Sequence, residues 1–163
     1  MAEKKSCRIL AIDPGYERVG ISIIEKRATE GEVIFSECHQ TDKKLNHSLR
    51  LSSITKEIIK CIELYKPKIL AIEKLFFSKN VKTALAVAEA RGVIIGQAAL
   101  LGLEVFEYSP QEVKIAVTGY GKSDKQQVIL MINRLVKIKK KINYDDEYDA
   151  IAIGLTHLAM NRY

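Results

Sequence analysis

Two short runs of the chain, RILAID at residues 8–13 and KILAIE at residues 68–73, share one pattern: a basic residue, four apolar residues, then a carboxylate. The apolar parts, Ile9–Ile12 and Ile69–Ile72, are rich in β-branched side chains and do not alternate with polar ones. Such runs suit strands buried on both faces. An unpaired carboxylate at the end of such a strand costs several kcal/mol, on the order of the effective desolvation penalty of a buried ion. One acid placed this way could be paired with a nearby Lys or Arg. Two placed alike require a common cause.

The rest of the chain supplies a frame for the two runs. DPGYE turns the chain after the first, at Pro14 and Gly15. Arg18–Glu25 and Glu32–His39 read as two further strands around a polar turn at 29–31, an antiparallel meander on the first strand. Leu45, Leu49, Ile54, Ile58, Ile62 and Tyr65 recur at helical spacing, which predicts a helix over 45–65 ended by Pro67. The Ala-rich stretch 80–101 predicts a second helix, and Glu104–Tyr108 a fifth strand. Ser109 and Pro110 look like the cap and first turn of another helix. A Gly-containing loop at 119–123 precedes a helix from Asp124, its cap, to Val136; a basic connector, KIKKKIN, leads to a last helix over 145–160. This order predicts one α/β domain over residues 1–163, a five-stranded mixed sheet flanked by helices. The runs 8–13 and 68–73 become parallel neighbours, with their C-terminal ends at the rim where such sheets build sites.

Asp13 and Glu73 would then lie about one strand spacing, roughly 5 Å, apart. Carboxylates that close repel unless a proton or a cation sits between them. A third acidic group, Asp145, Asp146, Glu147 and Asp149, opens the last helix, with Asp146 and Asp149 on one face. Asp145 and Glu147 are expected to offset the helix dipole. Asp149 is already in the second turn, where capping does not explain it. Convergent oxygen ligands without a His or Cys set point to Mg²⁺ or Mn²⁺. Two such ions about 3.5–4 Å apart activate a water and stabilise the leaving oxygen in phosphodiester hydrolysis. His157, two turns beyond Asp149, reads as structural.

Bulk properties narrow the class. A net charge of +6 and a pI near 9.2 favour a polyanionic partner. Three cysteines, odd in number and without metal-ligand spacing, fit a reducing cytoplasm. MAEKKSC has no apolar core or cleavage site of a secretory signal, and charges break the apolar stretches short of a membrane span, so no membrane partner is expected. AVTGYGKS at 116–123 is a loose phosphate-binding loop, but the residues before it read as helix where that loop needs a strand.

IDPG on the first strand, AIEKLFFSKN on the fourth and DDEYDAIAIGLTH on the last helix resemble the bacterial Holliday junction resolvase family RuvC, of the ribonuclease H-like fold. ALAVAEARGV, VFEYSPQEVK and TGYGKSDKQQV extend the resemblance in the same order over nearly the whole chain. It implies a metal-dependent endonuclease of recombination and repair that resolves four-way DNA junctions by paired symmetric nicks, leaving 5′-phosphate and 3′-hydroxyl ends. The catalytic and metal-binding acids carry over to Asp13, Glu73, Asp146 and Asp149, holding two Mg²⁺ per subunit with Mn²⁺ able to substitute. Phe76 or Phe77, after the catalytic strand, would stack on or wedge between junction bases. Lys114 and Lys125 match basic positions near the site. Lys79, Lys82, Lys122 and the run 137–141 are candidates for contact with the DNA backbone. The resemblance further implies a homodimer, since two symmetric nicks need two sites, and the RuvA–RuvB branch-migration complex as a partner. Gly92 and Gly96, four apart on an apolar helix, fit either a close-packed interface or burial on the sheet. A junction-binding module without catalysis, or a nuclease acting on RNA or its hybrids, keeps the fold and changes the chemistry.

Overall fold

Ile9, Leu10, Ala11 and Ile12 are fully buried, and so are Leu70, Ala71 and Ile72, because their strands lie at the middle of a sheet covered on both faces. The computed structural model describes residues 7–27, 30–76 and 81–161. Its strands are β1 (Arg8–Asp13), β2 (Arg18–Arg27), β3 (Glu30–Gln40), β4 (Ile69–Glu73) and β5 (Glu104–Tyr108), in the sheet order β3-β2-β1-β4-β5. The β1–β2 and β2–β3 pairs are antiparallel, whereas β4 runs parallel to both β1 and β5. The helices are α1 (His47–Tyr65), α2 (Val81–Leu100), α3 (Pro110–Thr118), α4 (Lys125–Leu135) and α5 (Asp145–Met160).

The period-two geometry of a strand divides each apolar run between two cores. Leu10, Ile12, Leu70 and Ile72 pack with Ile54, Ile58 and Ile94 of α1 and α2. Ile9, Ala11, Ile69 and Ala71 pack with Val113, Val128 and Ile151 of α3, α4 and α5. The odd-numbered parity continues to Asp13 and Glu73, which places both acids on the face covered by α3, α4 and α5. Ile12 pairs with Ile72 in the β1–β4 register, so the acids that follow them end neighbouring parallel strands.

Local signals set most boundaries. Ser109 and Asp124 cap α3 and α4, each with a reciprocal capping box closed by Glu112 and Gln127. Asn46 caps α1, which therefore starts two residues later than its apolar spacing predicts, and Lys66 ends it in the left-handed region before Pro67. The hairpin strands β2 and β3 run longer than expected because their pairing continues to Arg27 and Glu30. The stretch Val81–Leu100 has a mean hydropathy of 1.3, enough by length and composition for a membrane span, contrary to the expectation from its charges. Here it packs on α1 and β5, tied by a His47–Glu89 contact of 2.9 Å and by the Arg91–Glu107 pair.

Candidate active site

The acids that end β1 and β4 meet the first two turns of α5. Asp13, Glu73 and Asp149 line one cavity of about 260 Å³ together with Val113, Lys114 and Lys125. The Asp13 carboxyl is pushed well above the ordinary carboxylate range, first by burial and then by Asp149, Glu73 and Asp146. Burial, with Asp149 beside it, raises Glu73 to about 7. Asp149 is also raised, burial outweighing the pull of Lys125. The group is thus a set of carboxylates whose mutual repulsion is only partly relieved.

Asp146 stands on the flank of this group. It lines a second cavity instead, and Arg18 Nε approaches its Oδ2 at 3.2 Å. That distance makes an ion pair, but the alignment is too poor for a hydrogen bond, and Oδ2 is buried without a hydrogen-bond partner among the described residues. Gly20 lets α5 come this close. It pairs with Asp13 across β1–β2, and a Cβ there would meet the Asp146 carbonyl oxygen at 1.9 Å. Further along α5, Ser22 Oγ donates to the Ala150 carbonyl at 3.0 Å and fixes the helix against β2.

The basic residues separate into engaged and free-standing ones. Lys125 Nζ lies 2.6 Å from Asp145 and 2.8 Å from Asp149, contacts that raise its own pKa against the effect of burial. Asp145 is lowered by the hydrogen bond from Lys125, so it pairs across the site in addition to sitting at the helix start. Lys114 is on the cavity wall, Lys82 borders the second cavity, and Lys122 is exposed in the α3–α4 turn. Within the run 137–141, Lys140 turns inward to buried Glu147 and the Ser36 carbonyl, both at 2.6 Å. Glu147 is in the first turn of α5, as expected, but it is also buried and accepts from Ser36 Oγ at 2.6 Å. Phe76 is 61 % exposed. Phe77 and Lys79 lie outside the described residues.

Two other readings are decided by the fold. The residues before GYGKS belong to α3, and the following turn is closed by hydrogen bonds among Thr118, Tyr120 and Ser123, so the strand that a phosphate-binding loop needs is missing there. His157 is buried, bonds Tyr108 Oη at 2.6 Å and is pushed down to about 4 by burial, which suits a structural role. Burial also raises the thiols of Cys38 to about 11 and Cys61 to about 12.

A family model described as crossover junction endodeoxyribonuclease RuvC matches residues 9–157. A crossover junction endodeoxyribonuclease RuvC of Brevibacillus brevis is 43% identical over 150 residues, covering 92% of this chain and 90% of that protein. The RuvC of Thermotoga maritima is 41% identical over 157 residues, covering 96% and 94%. Among solved structures, T. thermophilus RuvC in complex with a Holliday junction substrate superposes with a TM-score of 0.86 at 28% identity, covering 93% of this chain and 92% of that one.

Proposed function

Because the chain belongs to the RuvC family of crossover junction endodeoxyribonucleases, we propose that it resolves four-way DNA junctions and that Asp13, Glu73, Asp146 and Asp149 are its catalytic acids. The observation that carries this reading is the convergence of acids from β1, β4 and α5 on one rim, with Asp13, Glu73 and Asp149 raised in pKa beside an open cavity.

The donor set fits a hard divalent cation. It offers carboxylate oxygens alone, its like charges are incompletely neutralised, and one Asp146 oxygen is buried without a hydrogen-bond partner among the described residues. Asp13, Glu73, Asp146 and Asp149 would hold two Mg²⁺ or Mn²⁺ ions. Bound there, the ions supply Lewis acidity toward the phosphate and lower the pKa of water. The chain does the rest. Glu73, raised to about 7, gives up its proton near neutral pH, which makes the anionic pocket available there. Lys125 steadies Asp149 and holds a positive charge at the cavity where charge develops on the scissile phosphate. Lys114, which also lines the cavity, adds to it. Hydrolysis leaves 5′-phosphate and 3′-hydroxyl ends.

Paired nicks call for a homodimer with a two-fold axis. The outer face of α2 suits such contact: Val81, Leu85 and Leu100 are exposed, and nothing among the described residues outside the helix lies within 4 Å of a Cβ built at Gly92 or Gly96. Exposed Phe76 is placed after the catalytic strand, where a base could stack on it. Cooperation with a RuvA–RuvB complex in the cytoplasm completes the reading. The test compares cleavage of a mobile four-way junction with that of linear duplex, RNA–DNA hybrid and single strand, with and without Mg²⁺. Symmetric nicks confined to the junction and dependent on Mg²⁺ are expected. Cleavage of the hybrid in preference to the junction overturns the substrate assignment, and binding without nicks under any divalent ion overturns the catalytic one.

A further inference from the structure

On the flank of the catalytic group, a cavity of about 420 Å³ is bordered by Tyr16, Glu17, Arg18, Arg50, Lys82 and Asp146. Arg50 is its most informative residue. It sits in the first turn of α1, where its amide bonds the Asn46 carbonyl at 3.0 Å. A cation at that end opposes the helix dipole. Two of the five guanidinium N–H groups, from Nε and Nη2, donate to Thr41 Oγ1 at 3.0 and 2.8 Å. The other three have no hydrogen-bond partner among the described residues.

The groups that hydrogen-bond to this guanidinium or stack on it are neutral. Its Cζ lies 4.0 Å from the centroid of the Tyr16 ring. Thr41 Oγ1 donates in turn to the Tyr16 carbonyl at 2.8 Å, and Tyr16 Oη meets His47 Nδ1 at 2.8 Å. Glu17, on the same turn, feels the field of Arg50, but its carboxylate pairs with Lys43 at 3.0 Å. Gly15 makes the turn possible, since a Cβ there would meet the Arg18 carbonyl oxygen at 1.9 Å. A guanidinium held by neutral hydrogen-bond and stacking partners, in the cavity that Asp146 also lines, is preorganised for a phosphodiester.

We propose that this cavity is a backbone-phosphate subsite in which Arg50 donates to a phosphate neighbouring the scissile one on the cut DNA strand, with Lys82 and Arg18 adding positive charge at the rim. The inference rests on the reading that the acids cut DNA, and it names the next contact along the same strand. The experiment measures binding of the full chain to a four-way junction and to linear duplex in EDTA, across a salt series, for wild type, Arg50→Gln and Arg50→Lys. Loss of one phosphate contact should reduce the slope of log K against log salt by about 0.9 in Arg50→Gln, with Arg50→Lys keeping most of the slope at weaker affinity. A methylphosphonate scan of the cut strand should find one position beside the cut whose neutralisation weakens wild type on the order of tenfold and Arg50→Gln hardly at all. Should Arg50→Gln not fold, the same scan on wild type and Arg50→Lys decides, since the lysine variant must lose less at that position. An unchanged slope with a lowered Tm, or no sensitive position, makes Arg50 a structural residue and overturns the subsite. If the slope falls while wild type shows no preference for the junction over duplex, the subsite stands and junction selectivity falls. If wild type binds neither DNA, both fall.

Discussion

Carboxylates crowd in two regions of this molecule, and they are resolved differently. At the rim of β1 and β4 stand Asp13, Glu73, Asp146 and Asp149. Between β3 and α1, single ligand atoms of Glu37, His39 and Glu57 lie within 4.8 Å of one another. Each region contains a buried oxygen without a hydrogen-bond partner among the described residues, on Asp146 and on Glu37. In the second region the chain settles its own charge. Burial, and then Glu57, raises Glu37, which can keep its proton; Glu57 is lowered, since its hydrogen bonds with Lys60 and Glu37 outweigh burial. Lys60 Nζ is 2.7 Å from Glu57, and His39 Nε2 is 3.0 Å from Ser53 Oγ. One proton and one lysine answer two acids. At the rim, five carboxylates, counting Asp145, face Lys125, Arg18 and Lys114, and three of the acids are still raised. Crowded acids alone are no argument for a metal centre; an excess that the chain's own cations leave unneutralised, beside an open cavity, is what supports proposing one at the rim.

The contrast is broken most sharply by Asp13→Asn. Cleavage of a four-way junction should fall on the order of 10²–10³-fold or more, as for loss of a group that stabilises developing charge, while junction binding in EDTA stays level or tightens. Cleavage above a few per cent of wild type, scored by initial rates on a gel, would remove Asp13 from the chemistry. Gly20→Ala comes next. Its methyl group must displace the start of α5 from β2, costing about 1–3 kcal/mol, or about 2–4 °C of Tm per kcal/mol. Activity should fall further than stability alone explains, because Asp146 moves with the helix.

Protons give a graded test. Glu73 titrates at about 7 in the folded chain against an ordinary 4.5, so between those values the folded state binds more protons than the unfolded one. Its contribution to stability is therefore largest below the lower value and is lost as pH rises toward 7. Asp13 and Asp149 are shifted in the same direction. In EDTA, Tm should fall from pH 5 to pH 8 through these groups, and the Tm gain on adding Mg²⁺ should grow over the same range as the cation replaces protons. Calorimetry showing a pH-independent Mg²⁺ gain would contradict this. Glu37→Gln should do least: junction cleavage stays within about twofold, as for a substitution outside the reacting groups, and stability changes by about 1 kcal/mol or less.

The sequence was most legible where one residue type answers one local demand. Ser109 and Asp124 announce their caps, and the apolar runs before Asp13 and Glu73 announce strands covered on both faces. The meeting of Asp13 and Glu73 was legible for the same reason, because a carboxylate at the end of an apolar run is costly without a partner. What stayed hidden depends on partners distant in the chain. Gly20 reads as one residue of a strand until α5 arrives over it. Glu147 reads as a helix-start acid until Ser36 and Lys140 enclose it. Arg50 carries no signal in the sequence, and only Thr41 and Tyr16, distant in the chain, hold it in the cavity that Asp146 lines.

Anomalous scattering from crystals of the chain grown with Mn²⁺ reports directly where a divalent ion prefers to sit. Peaks about 2.0–2.2 Å from the carboxylate oxygens of Asp13 and Glu73, with none among Glu37, His39 and Glu57, are the expected result. A peak at the β3–α1 cluster and none at the rim would contradict the claim that unneutralised acid, and not acid crowding, makes the catalytic centre.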